Sequence, residues 1–235
     1  INKSNIMGFY RGPNIVTDGL VLALDAGSGR SYDGTTSWND LSSNKSVYTL
    51  NNGVTYQSIN GGVFDFDGVD QHANFGSASI SAGSTVYSME AVFKADSTGT
   101  QVIWEQGTTV QTTGTRACMI LLSTGTGGFN GQSADFQTSV NYSINTWYHW
   151  LITIDTSLST NKCKIYVNGV LSAQGNPNNS STLNVGANGT RVGNKLSNNT
   201  ENFNGNIALV RAYNRVLTAA EVTQNFNAQK SRFGL

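Results

Sequence analysis

The stretch Trp147–Ser172, WYHWLITIDTSLSTNKCKIYVNGVLS, decides the fold. In an extended chain Tyr148, Trp150, Ile152 and Ile154 share one side, and Trp147, His149, Leu151, Thr153 and Asp155 the other. Both sides carry large apolar groups, so periodicity does not say which one faces the core. A polar, turn-rich stretch follows, then a second alternating run, Lys164–Val167. Asn168-Gly169, a dipeptide suited to turns with positive φ, leads into a third short run. Three antiparallel ribbons in succession are the signature of an all-β protein.

The same period of two recurs in both directions along the chain. Leu20–Asp25, Val63–Asp67, His72–Phe75, Val86–Ala95, Gln101–Glu105, Ala117–Ser123, Arg191–Gly193 and Gly205–Tyr213 read as further strands, separated by Gly, Asn, Ser and Asp clusters. Gly125–Gly131 reads as a hairpin loop. In Gly205–Tyr213 the buried set is either Ala208, Val210 and Ala212 or Ile207 and Leu209. One helix signal stands near the end. Thr218 and Glu221 form a capping box, and Val222 and Phe226 share a face, which predicts a short helix over Ala219–Asn227. The expected architecture is a two-layer antiparallel β-sandwich over 20–228, with an N-terminal arm at 1–19 and a tail at 229–235. The arm either packs along its own sandwich or detaches to bind a neighbouring subunit.

Composition narrows function. The 235 residues carry 14 basic and 14 acidic side chains, so the basic footprint of a nucleic-acid binder is missing. Only 12% of residues are charged, about half the usual share. No apolar run approaches the ~20 residues of a membrane helix. Cys118 and Cys163 lie in separate strand runs, as two buried thiols or as one disulfide. They are too few for a disulfide framework or a zinc site.

Four segments, in order, resemble the concanavalin A-like jelly-roll superfamily in its laminin-G-like branch: LVLALDAGSGRSYDGTTSWNDLSSN (20–44), VFDFDGVDQHANF (63–75), the Trp147 block, and FNGNIALVRAYNRVLTAAEV (203–222). The lead-in YRGPNIVTDGLVLALDAGSGRSY with TSWNDLSSN is similar, more narrowly, to laminin-G-like structural proteins of tailed bacteriophages. The resemblance implies a jelly roll with a short closing helix. It also implies a place in a virion, in repeated copies or as a homo-oligomer against other virion structural proteins. The alternative it leaves is an extracellular or fibre-borne lectin that holds host-surface glycans.

The chemistry of a catalyst is hard to find in these residues. Laminarinase-type glucanases of this fold set two carboxylates on one strand, about 5–5.5 Å apart for retention. Here Glu90, Glu105, Glu201 and Glu221 have no acidic residue two or four positions away. His72 and His149 read as strand residues, and no G-x-S-x-G elbow occurs. The expectation is a non-enzymatic protein. The resemblance adds a candidate calcium at the sandwich rim, with Asp67 and Asp70 as carboxylates, although Gln71 replaces the family's second Asp. Among aromatics that could stack on a sugar (Trp38, Trp104, Trp147, Tyr142 and Tyr32), Trp38 in its polar loop is the glycan-binding candidate.

Overall fold

The computed structural model describes residues 14–110, 112–138 and 140–235. In chain order the strands are β1 (Leu20–Asp25), β2 (Ser37–Asn39), β3 (Val47–Asn51), β4 (Thr55–Gln57), β5 (Val63–Asp67), β6 (His72–Phe75), β7 (Val86–Ala95), β8 (Gln101–Gly107) and β9 (Ala117–Leu121). Then come β10 (Thr126–Asn130), β11 (Phe136–Thr138), β12 (Val140–Asn141), β13 (Trp147–Asp155), β14 (Cys163–Val167), β15 (Val170–Gly175), β16 (Gly189–Val192) and β17 (Asn204–Tyr213), followed by the helix α1 (Ala219–Phe233).

Two antiparallel sheets result. The first runs β15-β14-β13-β7-β17-β5-β4, with β1 added on β17. The free edge of β17 is divided: β5 pairs with Asn204–Ile207 and β1 with Leu209–Tyr213. The second sheet runs β11-β10-β9-β8-β16-β6-β3-β2, with β12 on β10. The expected two-layer sandwich with a C-terminal helix is what the chain forms.

The core between the sheets holds Trp38, Tyr48, Phe64, Phe66, Phe93, Trp104, Phe129, Trp150 and Phe203, with Ile152, Ile154 and Ile165 among them. This settles the two faces of β13. Trp150, Ile152 and Ile154 point between the sheets, whereas Leu151 joins a second apolar cluster under α1 with Tyr213, Leu217 and Val222. Neither set expected for β17 is the one found. A register shift between Ile207 and Leu209 resets the alternation, so Ile207, Val210 and Ala212 share the core while Ala208 and Leu209 face the helix side.

Two further expectations are corrected. Gly125–Gly131 is not simply a loop, because Thr126–Asn130 forms β10. The glycines conceal it: a Cβ on Gly127 would stand 2.7 Å from the Trp150 ring and 2.5 Å from the Ile120 carbonyl oxygen, so close packing excludes the side chain that would have shown the alternation. The helix also continues past Asn227 to Phe233, into the segment read as a tail. Its start is as expected, since Thr218 Oγ1 accepts the Glu221 amide at 3.3 Å and Glu221 returns to the Thr218 amide at 2.8 Å. Phe233 explains the extra turns by closing over Trp147, with ring centroids 4.8 Å apart.

The described part of the lead-in packs on its own molecule. The Val16 amide donates to Asn225 of α1 at 2.8 Å, and Gln224 donates to the Asn14 carbonyl at 2.7 Å. Residues 1–13 of the expected arm lie outside the described residues. Cys118 and Cys163 are free and buried, one on each sheet.

Candidate functional site

The register of the second sheet brings together side chains that sequence order scatters. Reading straight across it, Ser37 of β2 pairs with Thr49 of β3, Thr49 with Asn74 of β6, Asn74 with Arg191 of β16, and Arg191 with Glu105 of β8. Cys118 and Asn130 continue the line on β9 and β10. These residues share one face, because their chain neighbours Trp38, Tyr48, Ala73, Val192, Trp104 and Met119 are all in the inter-sheet core. The outer face of the sheet therefore carries a row of hydroxyl, amide, guanidinium and carboxylate groups from six strands. Asn51 braces it, donating to Asn74 at 2.6 Å.

The connection from β16 to β17 folds over one end of this row. The Val102 amide donates to the Glu201 carbonyl at 2.8 Å, and the Leu196 amide donates to Glu105. Arg191 donates to Asn194 at 3.1 Å and to the Lys195 carbonyl at 3.2 Å. Beneath the connection Arg116 binds Glu105 and Glu201 together, with 3.0 Å to Glu201, and Lys195 adds a 2.7 Å ion pair to Glu201. Burial pushes the Glu201 carboxyl up, but Arg116 and Lys195 outweigh it and hold the carboxyl below its usual range. Ser37, Thr49 and Asn74, at the other end, are half-buried or exposed.

A second polar cluster lies on the opposite side of the molecule, between the first sheet and α1. Glu90 is 1% exposed. It accepts from Arg211 and His149 at 2.9 Å each and from Asn225 at 2.8 Å, and Asn225 also donates to the Tyr213 hydroxyl at 2.9 Å. With Glu90 ionised, His149 Nε2 is the donor. Burial raises the Glu90 carboxyl, yet Arg211, His149 and Asn225 together bring it to about 2. The cluster fastens helix and lead-in to the sheet.

The glycan candidate Trp38 is not a surface platform. It is 0% exposed and packs edge-on against Phe64 at 4.7 Å. Its polar neighbours misled, because β2 is a three-residue strand whose central side chain points inward. Trp104 is in the core, Trp147 lies under Phe233, and Tyr142 is buried with its hydroxyl on the Leu122 carbonyl. Tyr32 is half-buried, 4.9 Å from Tyr56, and it is Tyr56, unmarked in the sequence, that is exposed.

Asp67 and Asp70 lie in and beside the turn between β5 and β6. Asp67 accepts the Val69 amide at 2.8 Å, and the Asp70 carbonyl accepts Asn52 at 3.0 Å. Gln71, where the family has a carboxylate, accepts from the Asp67 amide at 3.1 Å and donates to the Gly53 carbonyl at 3.0 Å. Calcium takes six to eight oxygens. Asp67 and Gln71 thus spend polar groups within the turn and on its neighbour, and among the described residues no three His, Cys, Asp or Glu side chains converge.

Comparison with known proteins places this geometry. The family model for laminin-G-type domains of the concanavalin A-like lectin/glucanases superfamily matches residues 67–223. The chain belongs to that superfamily. Solved structures share the fold at low identity. Domain 4 of AbnA, a GH43 extracellular arabinanase from Geobacillus stearothermophilus solved with arabinotriose, is 17% identical with a TM-score of 0.65 over 90% of this chain and 100% of that one. A Trypanosoma rangeli sialidase in complex with sialic acid is 17% identical, with a TM-score of 0.64 over 91% of this chain and 33% of the sialidase. A structure of botulinum neurotoxin type C, whose cell entry is dependent upon interaction with two ganglioside molecules, is 16% identical with a TM-score of 0.67 over 91% of this chain and 52% of that one. The chain thus spans about a third of the sialidase and half of the toxin chain. No curated protein matches the sequence.

Proposed function

We propose that this chain is a non-catalytic carbohydrate-binding module whose sugar face is the open end of the row Ser37–Thr49–Asn74–Arg191. The observation that carries the reading is the row itself: amide, hydroxyl and guanidinium groups held in register on a rigid sheet, at the spacing of neighbouring strands, about 4.8 Å. Such groups match the vicinal hydroxyls of a saccharide. The superfamily, and the arabinotriose bound to the AbnA domain, support it. Binding without hydrolysis follows from Arg116. A glycosidase needs one carboxyl kept protonated as the acid, whereas Arg116, shared by Glu105 and Glu201, helps hold the Glu201 carboxyl below its usual range. The turn at Asp67 and Asp70 favours calcium-independent binding.

A glycan array in calcium and in chelator, followed by titration of the best hit, tests the proposal. Asn74→Ala and Arg191→Lys are each expected to weaken binding about tenfold, as losing one or two hydrogen bonds does. No bound sugar in either buffer, unchanged affinity in both variants, or release of reducing ends would refute it. A place on a phage particle rests on the lead-in likeness of residues 10–44 alone, and a fixed copy number in purified particles tests it.

A further inference from the structure

A cleft of about 410 Å³ opens on the side of the molecule away from the sugar face, between the lead-in, β1, Leu41 and α1. That is within the ~300–1,000 Å³ usual for ligand pockets. Ile15, Leu20 and Leu41 give it apolar wall, while Asn14, Asp25, Arg30, Arg211 and Gln229 bring polar groups to it. The charges are not balanced. Asp25 is taken by Arg232 at 2.7 Å, and Arg211 is taken by Glu90 at 2.9 Å from behind. Arg30 has no hydrogen-bond or ion-pair partner among the described residues and is exposed at the cleft. The cleft thus combines apolar wall, the amide side chains of Asn14 and Gln229, and one uncompensated guanidinium, a group whose planar fork of donors suits a carboxylate.

We propose that this cleft is a second ligand site, selective for a small carboxylate of monosaccharide size such as a uronic acid, with Arg30 as the carboxylate-binding residue. The apolar walls take the ring edge and Gln229 a hydroxyl. The site is independent of the sheet face, so the two readings fail separately.

Titration calorimetry of the full chain with glucuronate, and with glucose as the neutral counterpart, tests it. Glucuronate is expected to bind at least tenfold more tightly than glucose, and more weakly as salt is raised. Arg30→Ala should remove most of that preference without changing the melting temperature. Arg30→Lys should restore only part of it, because a point charge replaces the fork. Ala228→Trp, which fills the cleft from the helix wall and leaves every charge in place, should abolish binding. Equal binding of the two sugars, absence of glucuronate binding, or indifference to both Arg30→Ala and Ala228→Trp would each overturn the proposal.

Discussion

Replacing Glu90 by Gln tests what joins the helix to the sandwich. The side chain is almost the same size, so packing with Leu151, Val222 and Tyr213 is kept while the charge and one of the two acceptor oxygens are removed. Two routes give the magnitude. A carboxyl brought from its ordinary 4.5 to about 2 by the fold contributes roughly 3 kcal/mol to stability at neutral pH. Independently, removing one member of a buried ion pair costs about 3–5 kcal/mol, because Arg211 is then left buried without its anion. The pH dependence has a fixed sign. The folded-state value is depressed, so the contribution is complete above about 4.5 and is lost as pH falls through about 2. Urea unfolding followed by tryptophan fluorescence, at pH 7 and again near pH 2, should show the variant about 3 kcal/mol less stable at pH 7. The two proteins should converge in acid. A difference under about 1 kcal/mol at pH 7, or one that does not shrink with acid, would refute the reasoning. The first result would show that the desolvation of Glu90 and Arg211 cancels their attraction.

Two further outcomes are expected. Ellman's reagent should find no reactive thiol in the native chain and two in denaturant, since burial pushes both Cys118 and Cys163 well up and they are unbonded; one native thiol, or fewer than two after unfolding, would contradict this. Exchanging calcium for chelator should leave the melting temperature in place. A rim-bound ion at about 100-fold excess over its Kd would add roughly 2.7 kcal/mol and raise the melting temperature by several degrees, and such a rise would restore Asp67 and Asp70 as ligands.

How much of this was legible in the sequence depended on which force held each element. Strands β1, β5, β6, β7 and β13 announce themselves because burial on at least one face enforces alternation, and the structure has them at the expected bounds. Strands β2, β3 and β4 leave little trace: they are three to five residues long and largely polar outward. The bulge in β17 was invisible because a register shift is a property of the pair of strands, and no local pattern encodes it. Trp38 was misread for a related reason. Polar neighbours describe its loop, but the direction of one Cα–Cβ bond in a short strand decides burial. The proposed sugar face was out of reach altogether, since Ser37, Thr49, Asn74 and Arg191 become neighbours only through strand pairing. The surplus of Asn and Thr on a nearly uncharged chain was its only sequence signal.

Arg116 shows why the search for paired acids along the sequence was a search in the wrong coordinate. Glu105 and Glu201 have no acidic residue two or four positions away, yet both end on the same guanidinium nitrogen. Proximity of two carboxylates is therefore present in the fold. Acid–base chemistry would need one carboxyl held neutral beside another held ionised. Arg116 between them and Lys195 on Glu201 instead hold the Glu201 carboxyl below its usual range. The ion cluster then fixes the β16–β17 connection over the sheet and so sets where the open polar row begins. On this argument the feature closest to a hydrolytic pair in this chain works as a clasp that shapes the proposed binding face.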